Sequence, residues 1–169
     1  MEKKIYFDMD GTFYNLYGFD GWLECILSEK TECYTKSTLL VDYDKFVMIL
    51  NELKKKGYTI GIITWLSKNA TRRYQNMVRN AKYRYIAKYF NGIFDEIHII
   101  QYGKNKNQYA ENGYILFDDE ENNRIEWNKK NGISYNVNNI IDILTTLWEC
   151  HKNNEISWQI NRIDYNYKQ

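Results

Sequence analysis

Acidic residues directly follow two apolar segments of this sequence. Asp8 and Asp10 come after the apolar run at residues 5–7, and Asp118 and Asp119 come after the run at residues 114–117. Two unit charges about 4 Å apart repel each other by about 4 kcal/mol at an effective dielectric constant near 20, so carboxylates gathered at one place need a cation. Oxygen ligands of this kind suit a hard divalent cation such as Mg²⁺. The sequence therefore predicts a cation site, provided that the two segments lie side by side.

The first acidic pair belongs to the string DMDGT at residues 8–12. Taken singly, Asp and Gly after a strand are ordinary turn residues. A turn explains one Asp-Gly pair, but it does not explain four residue types at set positions together with a second acidic pair after another strand. We therefore interpret DMDGT as a functional motif.

Two further apolar segments end in residues that can bind an anion. Thr64 lies near the end of YTIGIITW, and Lys104 and Lys106 follow the run at residues 96–100. Ligands of open α/β sheets bind beyond the carboxyl ends of the strands, where these side chains would meet the carboxylates. A Thr in a strand is also an ordinary strand residue, so Thr64 gains weight only from its register with the other motifs.

The four segments, in this order, resemble the motifs of the haloacid dehalogenase (HAD) superfamily over about residues 3–120. The resemblance implies that Asp8 attacks phosphorus to form an aspartyl phosphate. It also implies that Asp10 protonates the leaving group and then activates water. Mg²⁺ would be held by the Asp8 carboxylate, the Asp10 backbone carbonyl and Asp118, with Asp119 orienting a metal-bound water or the lysine.

The expected chemistry is also reasonable without the resemblance. A covalent carboxylate intermediate divides phosphoester cleavage into two easier steps, and an alkoxide leaving group needs a proton from a positioned acid.

The dehalogenating branch of the family resembles this pattern but lacks the second Asp, so the presence of Asp10 favours phosphate chemistry.

Thr64 and one lysine are expected to bind the phosphoryl group. The hydroxyl of Thr64 would donate to a phosphate oxygen, and the lysine would neutralise charge on the transferred group. Lys104 and Lys106 both fit a loop that leads towards the fourth strand. We favour Lys106 because it begins the pattern KNQYAENG, which we expect to form the helix before that strand.

The rest of the chain must position these residues. Apolar runs predict strands at residues 3–8, 58–65, 96–100, 114–117 and 133–137, and helical patterns alternate with them at residues 44–56, from Ser67 or Asn69 to about Phe90, 120–130 and 140–148. Alternation predicts a Rossmann-like three-layer α/β/α sandwich with a parallel sheet. We expect one domain over residues 1–169, with a small helical cap insertion at 15–41 and a surface helix in the tail from about residue 153.

The predicted insertion carries aromatic side chains that suggest a substrate. Tyr17, Phe19 and Trp22 could stack on a nucleobase, and the short insertion after the first motif resembles the cytosolic deoxyribonucleotidases. The prediction is a nucleoside monophosphate. The alternatives are that these residues only hold the insertion in place, that the substrate is another small phosphate ester or the 3′ end of a nucleic acid, or that the protein is a catalytically silent binding module.

Composition limits the remaining classes. A net charge of +1 gives no general basic surface for stable nucleic-acid binding, and no apolar run approaches the ~20 residues that span a bilayer. Three widely spaced cysteines and no room for a signal peptide lead us to expect a cytoplasmic protein with reduced thiols. His98 is expected to be a core residue. The basic residues of the helix ending near Phe90 are assigned to its solvated faces, namely Arg72, Arg73, Arg79, Lys82, Arg84 and Lys88.

Overall fold

A parallel five-stranded sheet forms the centre of the part of the chain described by the computed structural model, which is residues 2–152 without the side chains of 151 and 152. The strands are β1 (Lys3–Phe7), β2 (Tyr58–Trp65), β3 (Glu96–Ile100), β4 (Ile115–Phe117) and β5 (Ile133–Tyr135), in the order β3-β2-β1-β4-β5. This confirms the predicted α/β class with a Rossmann-like sheet. The predicted tail helix lies outside the described residues.

Strand register brings the predicted motifs to one edge of the sheet. Phe7 of β1 pairs with Ile62 of β2 on one side and with Phe117 of β4 on the other. Asp8 and Asp118 each follow directly after a residue of these pairs, and Thr64 lies two residues beyond Ile62. Because all three strands are parallel, their carboxyl ends meet at the same place.

Six α-helices accompany the sheet within residues 2–152. They are α1 (Trp22–Leu27), α2 (Cys33–Lys36), α3 (Tyr43–Lys55), α4 (Arg72–Tyr89), α5 (Glu121–Asn128) and α6 (Ile140–Lys152). The strongest sequence pattern gave α3, which buries Phe46, Ile49, Leu50 and Leu53. Asp42 caps its N-terminus by accepting a hydrogen bond from the backbone of Lys45, and Gly57, with φ +84°, follows its C-terminal cap.

Two predicted helices differ from the observed elements. Helix α4 begins at Arg72 with Thr71 as its cap, because the Thr71 hydroxyl accepts from the Tyr74 backbone and Asn69 has a positive φ of 53° that a helix cannot include. The helix expected from KNQYAENG is only a 3₁₀ helix over Lys106–Tyr109. This segment is too short to complete an α-helix before the chain turns towards β4.

Aromatic packing fixes β1, the strand that carries the first motif. The ring of Phe7 stacks on Phe117 with centroids 5.0 Å apart, and it meets Phe46 of α3 edge-on at 5.3 Å. Phe13, just after the motif, stacks on Phe94 at 5.8 Å. These rings are buried, so they hold the backbone on both sides of DMDGT against the core.

The segment at residues 15–41 contains α1 and α2 and lies against α4 and the loop after β2. Tyr34 of α2 shares a hydrogen bond with the Ser67 hydroxyl at 2.7 Å, and the Tyr74 hydroxyl donates to the Lys30 carbonyl at 2.6 Å. Tyr14 donates to the Cys33 carbonyl at 2.6 Å. The segment is therefore joined to the parallel-sheet part by buried hydroxyl groups as well as by apolar contacts.

None of the helices found among the described residues has the length and apolar character needed to cross a lipid bilayer.

Candidate active site

Asp8 and Asp118 meet at the carboxyl end of the sheet and share one ammonium group. Lys106 Nζ lies 2.5 Å from Asp8 Oδ1 and 2.7 Å from Asp118 Oδ2. The Lys106 side chain is 1% exposed, and it comes from the 3₁₀ helix between β3 and β4. A buried ammonium of this kind is held by charge-assisted hydrogen bonds to both carboxylates.

Lys104, the other lysine considered from the sequence, lies elsewhere. It is exposed, and its backbone carbonyl accepts a hydrogen bond from the indole of Trp65 at 2.9 Å. Of the two candidates, Lys106 is therefore the one that contacts Asp8.

The backbone and side chains around Asp118 hold its carboxylate in one orientation. Oδ1 accepts from the Glu120 backbone N–H at 2.9 Å and from Asn123 Nδ2 at 3.1 Å. The Arg124 guanidinium donates to the backbone carbonyls of Asp118 and Asp119 at 2.8 Å each. Neither Asn123 nor Arg124 was predicted to support the site. Their positions in the helix that follows the second acidic pair were the available signal.

Asp10 and Thr64 belong to a second cluster around another lysine. Lys82 Nζ of α4 donates to Asp10 Oδ2 at 2.5 Å, to Thr64 Oγ1 at 2.8 Å and to the Trp65 carbonyl at 2.8 Å. Thr64 and Lys82 are both completely buried. The structure thus pairs each aspartate of DMDGT with its own ammonium group.

The assignment of Lys82 to a solvated helix face was wrong. Lys82 is 0% exposed and lies one turn from both Val78 and Ile86, which are buried. The spacing of four residues is the signal that placed it on the apolar face. The sequence pattern was misleading because a lysine is normally solvated unless a carboxylate lies within reach, and Asp10 is 72 residues away in the chain.

Negative charge dominates the electrostatics of the site. Burial and the nearby Asp8 carboxylate raise the pKa of Asp118 to about 6 and that of Asp119 to about 7. Burial also raises the pKa of Asp10, against the opposing effect of the Lys82 charge. Four carboxylates thus share a small volume with two ammonium groups, which leaves an excess of negative charge when all are ionised.

The residues present fit a divalent cation that binds oxygen. Burial and then the Asp8 charge raise the pKa values of Asp118 and Asp119, and a cation beside these carboxylates would relieve the repulsion between them. Within residues 2–152 no group of three or more His, Cys, Asp or Glu side chains is arranged to hold a metal by itself. A cation would therefore need backbone carbonyl and water ligands beside Asp8 and Asp118, as Mg²⁺ typically has.

Gly11 makes room for the acidic loop. Its φ is +80°, and an added Cβ would lie 2.5 Å from Asp119 Oδ2 and 2.7 Å from Tyr17 Cε2. The close approach of the second acidic pair to the first motif therefore requires glycine at this position.

A cavity of about 480 Å³ opens beside the carboxylates and Lys106. Asp8, Asp10, Lys106 and Asp119 contribute to its polar part. Its apolar and aromatic wall comes from segment 15–41, the end of β2 with the loop after it, helix α4 and the loop after β3. It comprises Leu16, Tyr17, Trp22, Leu23, Ile26, Leu27, Tyr34, Trp65, Leu66, Ala70, Tyr74 and Tyr102. The site thus combines a charged floor with a mainly apolar wall.

The predicted substrate-binding aromatics are placed differently from one another. Tyr17 and Trp22 line the cavity and meet edge-on with centroids 5.1 Å apart. Phe19 is partly buried and packs against the main core, outside the set of described residues that line the cavity. The geometry therefore supports a contact role for Tyr17 and Trp22 and a packing role for Phe19.

The fold and the side chains define a class of protein, namely a doubly wound α/β domain with an acidic site at the carboxyl ends of its strands. A scan of protein families found no family model that matches the chain, and a search of curated proteins found no match.

A search of solved structures found chains of low sequence identity that match this one. A HAD family enzyme from Bacteroides thetaiotaomicron is 11% identical, with a TM-score of 0.46, over 80% of this chain and 93% of that one. Its magnesium complex gives 10% identity and a TM-score of 0.43, over 80% and 92% of the two chains. The HAD domain of the effector protein Lem4 from Legionella pneumophila gives 12% and 0.35, over 80% and 84%.

Proposed function

We propose that this protein is a Mg²⁺-dependent phosphomonoester hydrolase of the HAD type that acts through an aspartyl phosphate. The observation that carries the proposal is the pair Asp8 and Asp10 at the end of β1, each hydrogen-bonded to a different buried lysine. A nucleophile and an acid/base two residues apart need separate environments because one must stay ionised while the other exchanges protons.

In the first step an Asp8 carboxylate oxygen attacks phosphorus and the bond to the leaving oxygen breaks. Asp10 gives that oxygen its proton. Lys106, beside Asp8, and the hydroxyl of Thr64 offset the charge on the phosphoryl oxygens. In the second step Asp10 takes a proton from water, the water oxygen bonds to phosphorus, and the acyl phosphate bond breaks to release phosphate and the free Asp8 carboxylate.

Asp8, the Asp10 backbone carbonyl and Asp118 would hold the magnesium ion. When bound, the ion supplies positive charge to the phosphate oxygens and offsets repulsion between the carboxylates. Asp119 contacts neither lysine within the described hydrogen bonds, which suits a role in orienting a metal-bound water.

The test of the reaction is a phosphatase assay with Asp8→Asn. The substitution keeps the shape of the side chain and removes the nucleophile. We expect turnover of a chromogenic aryl phosphate by the wild type with Mg²⁺, and loss of turnover in a variant that still gives the wild-type circular dichroism spectrum. Substantial turnover by folded Asp8→Asn would rule out the covalent route. Absence of wild-type activity with Mg²⁺ would instead favour the silent binding module.

For the substrate we propose a nucleoside monophosphate. Tyr17 and Trp22 support this choice, since they present aromatic edges and faces in the wall of the cavity that contains Asp8. Stacking of a base on an aromatic side chain contributes about 1 to 3 kcal/mol in single-stranded nucleic-acid complexes. A cavity of about 480 Å³ also lies within the range of small-molecule sites, roughly 300 to 1,000 Å³.

Substrate panels test this choice. We expect kcat/KM for deoxynucleoside 5′- or 3′-monophosphates to exceed that for sugar phosphates and for 3′-phosphorylated oligonucleotides. Trp22→Ala should lower kcat/KM for the nucleotides by about tenfold or more, because stacking of about 1.4 kcal/mol is a factor of ten. Tyr83→Ala is the control, since Tyr83 is an exposed aromatic on α4 outside the cavity wall. Preference for sugar phosphates, or equal effects of the two variants, would remove the nucleotide assignment.

A further inference from the structure

Lys82 is the most deeply buried cation near the site. Its side chain is 0% exposed and its ammonium group has three protons, which match three acceptors at 2.5 to 2.8 Å. The acceptors are Asp10 Oδ2, Thr64 Oγ1 and the Trp65 carbonyl. The lysine therefore joins helix α4 to the loop after β1 and to the end of β2.

Packing alone does not explain a lysine at this position. Removing an ammonium group from water costs several kcal/mol even after relaxation, and apolar residues of similar volume often replace buried ion pairs without loss of stability. The flanking buried positions of the same face are Val78 and Ile86, which are apolar. The charge of Lys82 is therefore explained by its own three hydrogen-bond partners and not by the character of this helix face.

The two carboxylate oxygens of Asp10 differ in their hydrogen bonding. Oδ2 is bonded to Lys82, whereas Oδ1 is buried and has no hydrogen-bond partner among residues 2–152. The same ammonium donates to the Thr64 oxygen. Because that oxygen accepts from Lys82, the hydroxyl hydrogen of Thr64 must point to some other acceptor.

We propose that Lys82 is a positioning residue that sets the orientation of both Asp10 and Thr64. Its hydrogen bond to Oδ2 fixes the orientation of the Asp10 carboxyl group that exchanges protons with the leaving group and with water. Lys82 donates to the Thr64 oxygen, which leaves the Thr64 hydroxyl hydrogen available for a phosphoryl oxygen. This inference rests on the proposed phosphatase function and adds a residue outside the four motifs to its machinery.

A leaving-group comparison tests the Asp10 part. Lys82→Met keeps the length of the side chain and removes the ammonium group. General acid catalysis typically contributes about 10² to 10⁴ in rate, and only a poor leaving group needs it. We therefore expect Lys82→Met to reduce kcat on an alkyl phosphate by about 100-fold and on an activated aryl phosphate by less than about tenfold.

The matched control is Lys88→Met, which removes an exposed lysine from the same helix and should change neither rate. A variant that only loosened the fold would lose both activities together. Equal losses by Lys82→Met on the two esters would overturn the positioning role. If Lys82→Met does not fold, as judged by circular dichroism, Lys82→Leu gives the same comparison, because it also removes the donor and keeps an apolar side chain.

Calorimetric titration with inorganic phosphate in the presence of Mg²⁺ tests the Thr64 part without turnover. We expect Lys82→Met and Thr64→Val each to weaken phosphate binding by about tenfold, and the double variant to lose no more than either one. Additive losses would show that Lys82 does not act through Thr64 and would overturn that part.

The titration also separates the two proposals. A wild-type protein that binds phosphate but hydrolyses neither ester contradicts the phosphatase function and with it the Asp10 part, whereas the double-variant comparison still decides whether Lys82 acts through Thr64.

Discussion

At the scale of single residues, the site depends on which side chains reach the carboxylates. Lys106 contacts Asp8 and Asp118, and its Nζ also lies 4.9 Å from the centre of the Trp65 ring. Burial lowers the pKa of an ammonium group, but the two carboxylates outweigh it, so that the pKa of Lys106 is raised. Lys106 therefore remains charged at the place where a phosphoryl group would gain negative charge.

Replacement of the two loop lysines should have very different effects. We expect Lys106→Met to lower kcat/KM for a phosphate ester by about 10² to 10³, the cost of removing one preorganised electrostatic group. Lys104→Met should change it by less than about twofold, because the exposed Lys104 side chain is replaceable without loss of the Trp65 hydrogen bond to its backbone. Steady-state kinetics of the two purified variants measure both values. The opposite ranking would transfer the phosphate-binding role to Lys104.

At the scale of elements, the loop after β1 is constrained by a close approach to the loop after β4. Gly11 faces both Asp119 and Tyr17, and its backbone adopts a conformation that L-residues rarely occupy. Two separate costs would therefore follow from a side chain at this position, namely backbone strain and steric overlap.

Gly11→Ala can be compared with Gly113→Ala to separate these costs. Both glycines have φ +80°, but an added Cβ at Gly113 meets nothing within 4 Å among the described residues. Backbone strain of about 1 to 2 kcal/mol should appear in both variants. Gly11→Ala should lose additional stability and most of the phosphatase activity, as measured by urea unfolding and by kcat/KM. Equal stability and activity in the two variants would mean that the overlap is relieved without displacing Asp119.

The amino-terminal part of the sheet is joined by a polar cluster on β1 and β3. Lys4 Nζ and the Tyr6 hydroxyl donate to Glu96 at 2.7 and 2.5 Å, and His98 Nε2 lies 3.3 Å from the same carboxylate. Burial alone would raise the pKa of Glu96, but these hydrogen bonds lower it from 4.5 to about 2. The stability that the folded protein gains from the ionised Glu96 is thus fully present above pH 4.5 and is lost as the pH falls towards 2.

Glu96→Gln should remove this pH dependence. Compared with the wild type, the variant should lose stability at pH 6, and the difference should shrink as the pH falls from 4.5 towards 2. Urea unfolding at several pH values measures it. Glu126→Gln is the control because its ion pair with Lys129 is exposed and joins residues only three apart in the chain. A difference between Glu96→Gln and wild type that stays constant over this range would contradict the predicted linkage.

At the scale of the whole molecule, the acidic edge of the sheet should couple metal binding to folding. A cation that binds only the folded protein stabilises it by about 2.7 kcal/mol at 100 times its Kd, which raises Tm by about 5 to 10 °C in a domain of this size. We expect Mg²⁺ to raise Tm of the wild type above its value in EDTA. Asp118→Asn should abolish the increment, because it removes a carboxylate from the charged cluster. An equal Mg²⁺ increment in this variant would exclude Asp118 from the metal site.

The sequence by itself determined the sheet and the edge at which the site lies. Tyr58–Trp65 and Glu96–Ile100 agree with the predicted strands residue for residue, because short segments rich in β-branched residues are strong local signals. Once the strands are parallel neighbours, the residues that follow them must meet. Asp8 and Asp118 therefore come together as a consequence of topology, and no knowledge of side-chain packing was needed for that expectation.

Only the tertiary structure decided which distant side chains reach these carboxylates. Lys104 and Lys106 have the same local pattern, and the path of the short 3₁₀ helix determines which of them points inward. Lys82 was assigned to solvent because its partner Asp10 is remote in sequence, and Phe19 and Trp22 are equivalent until the fold orients them. Local patterns predict elements because their hydrogen bonds and apolar faces are local, whereas the pairing of a buried charge depends on contacts between elements that no single segment specifies.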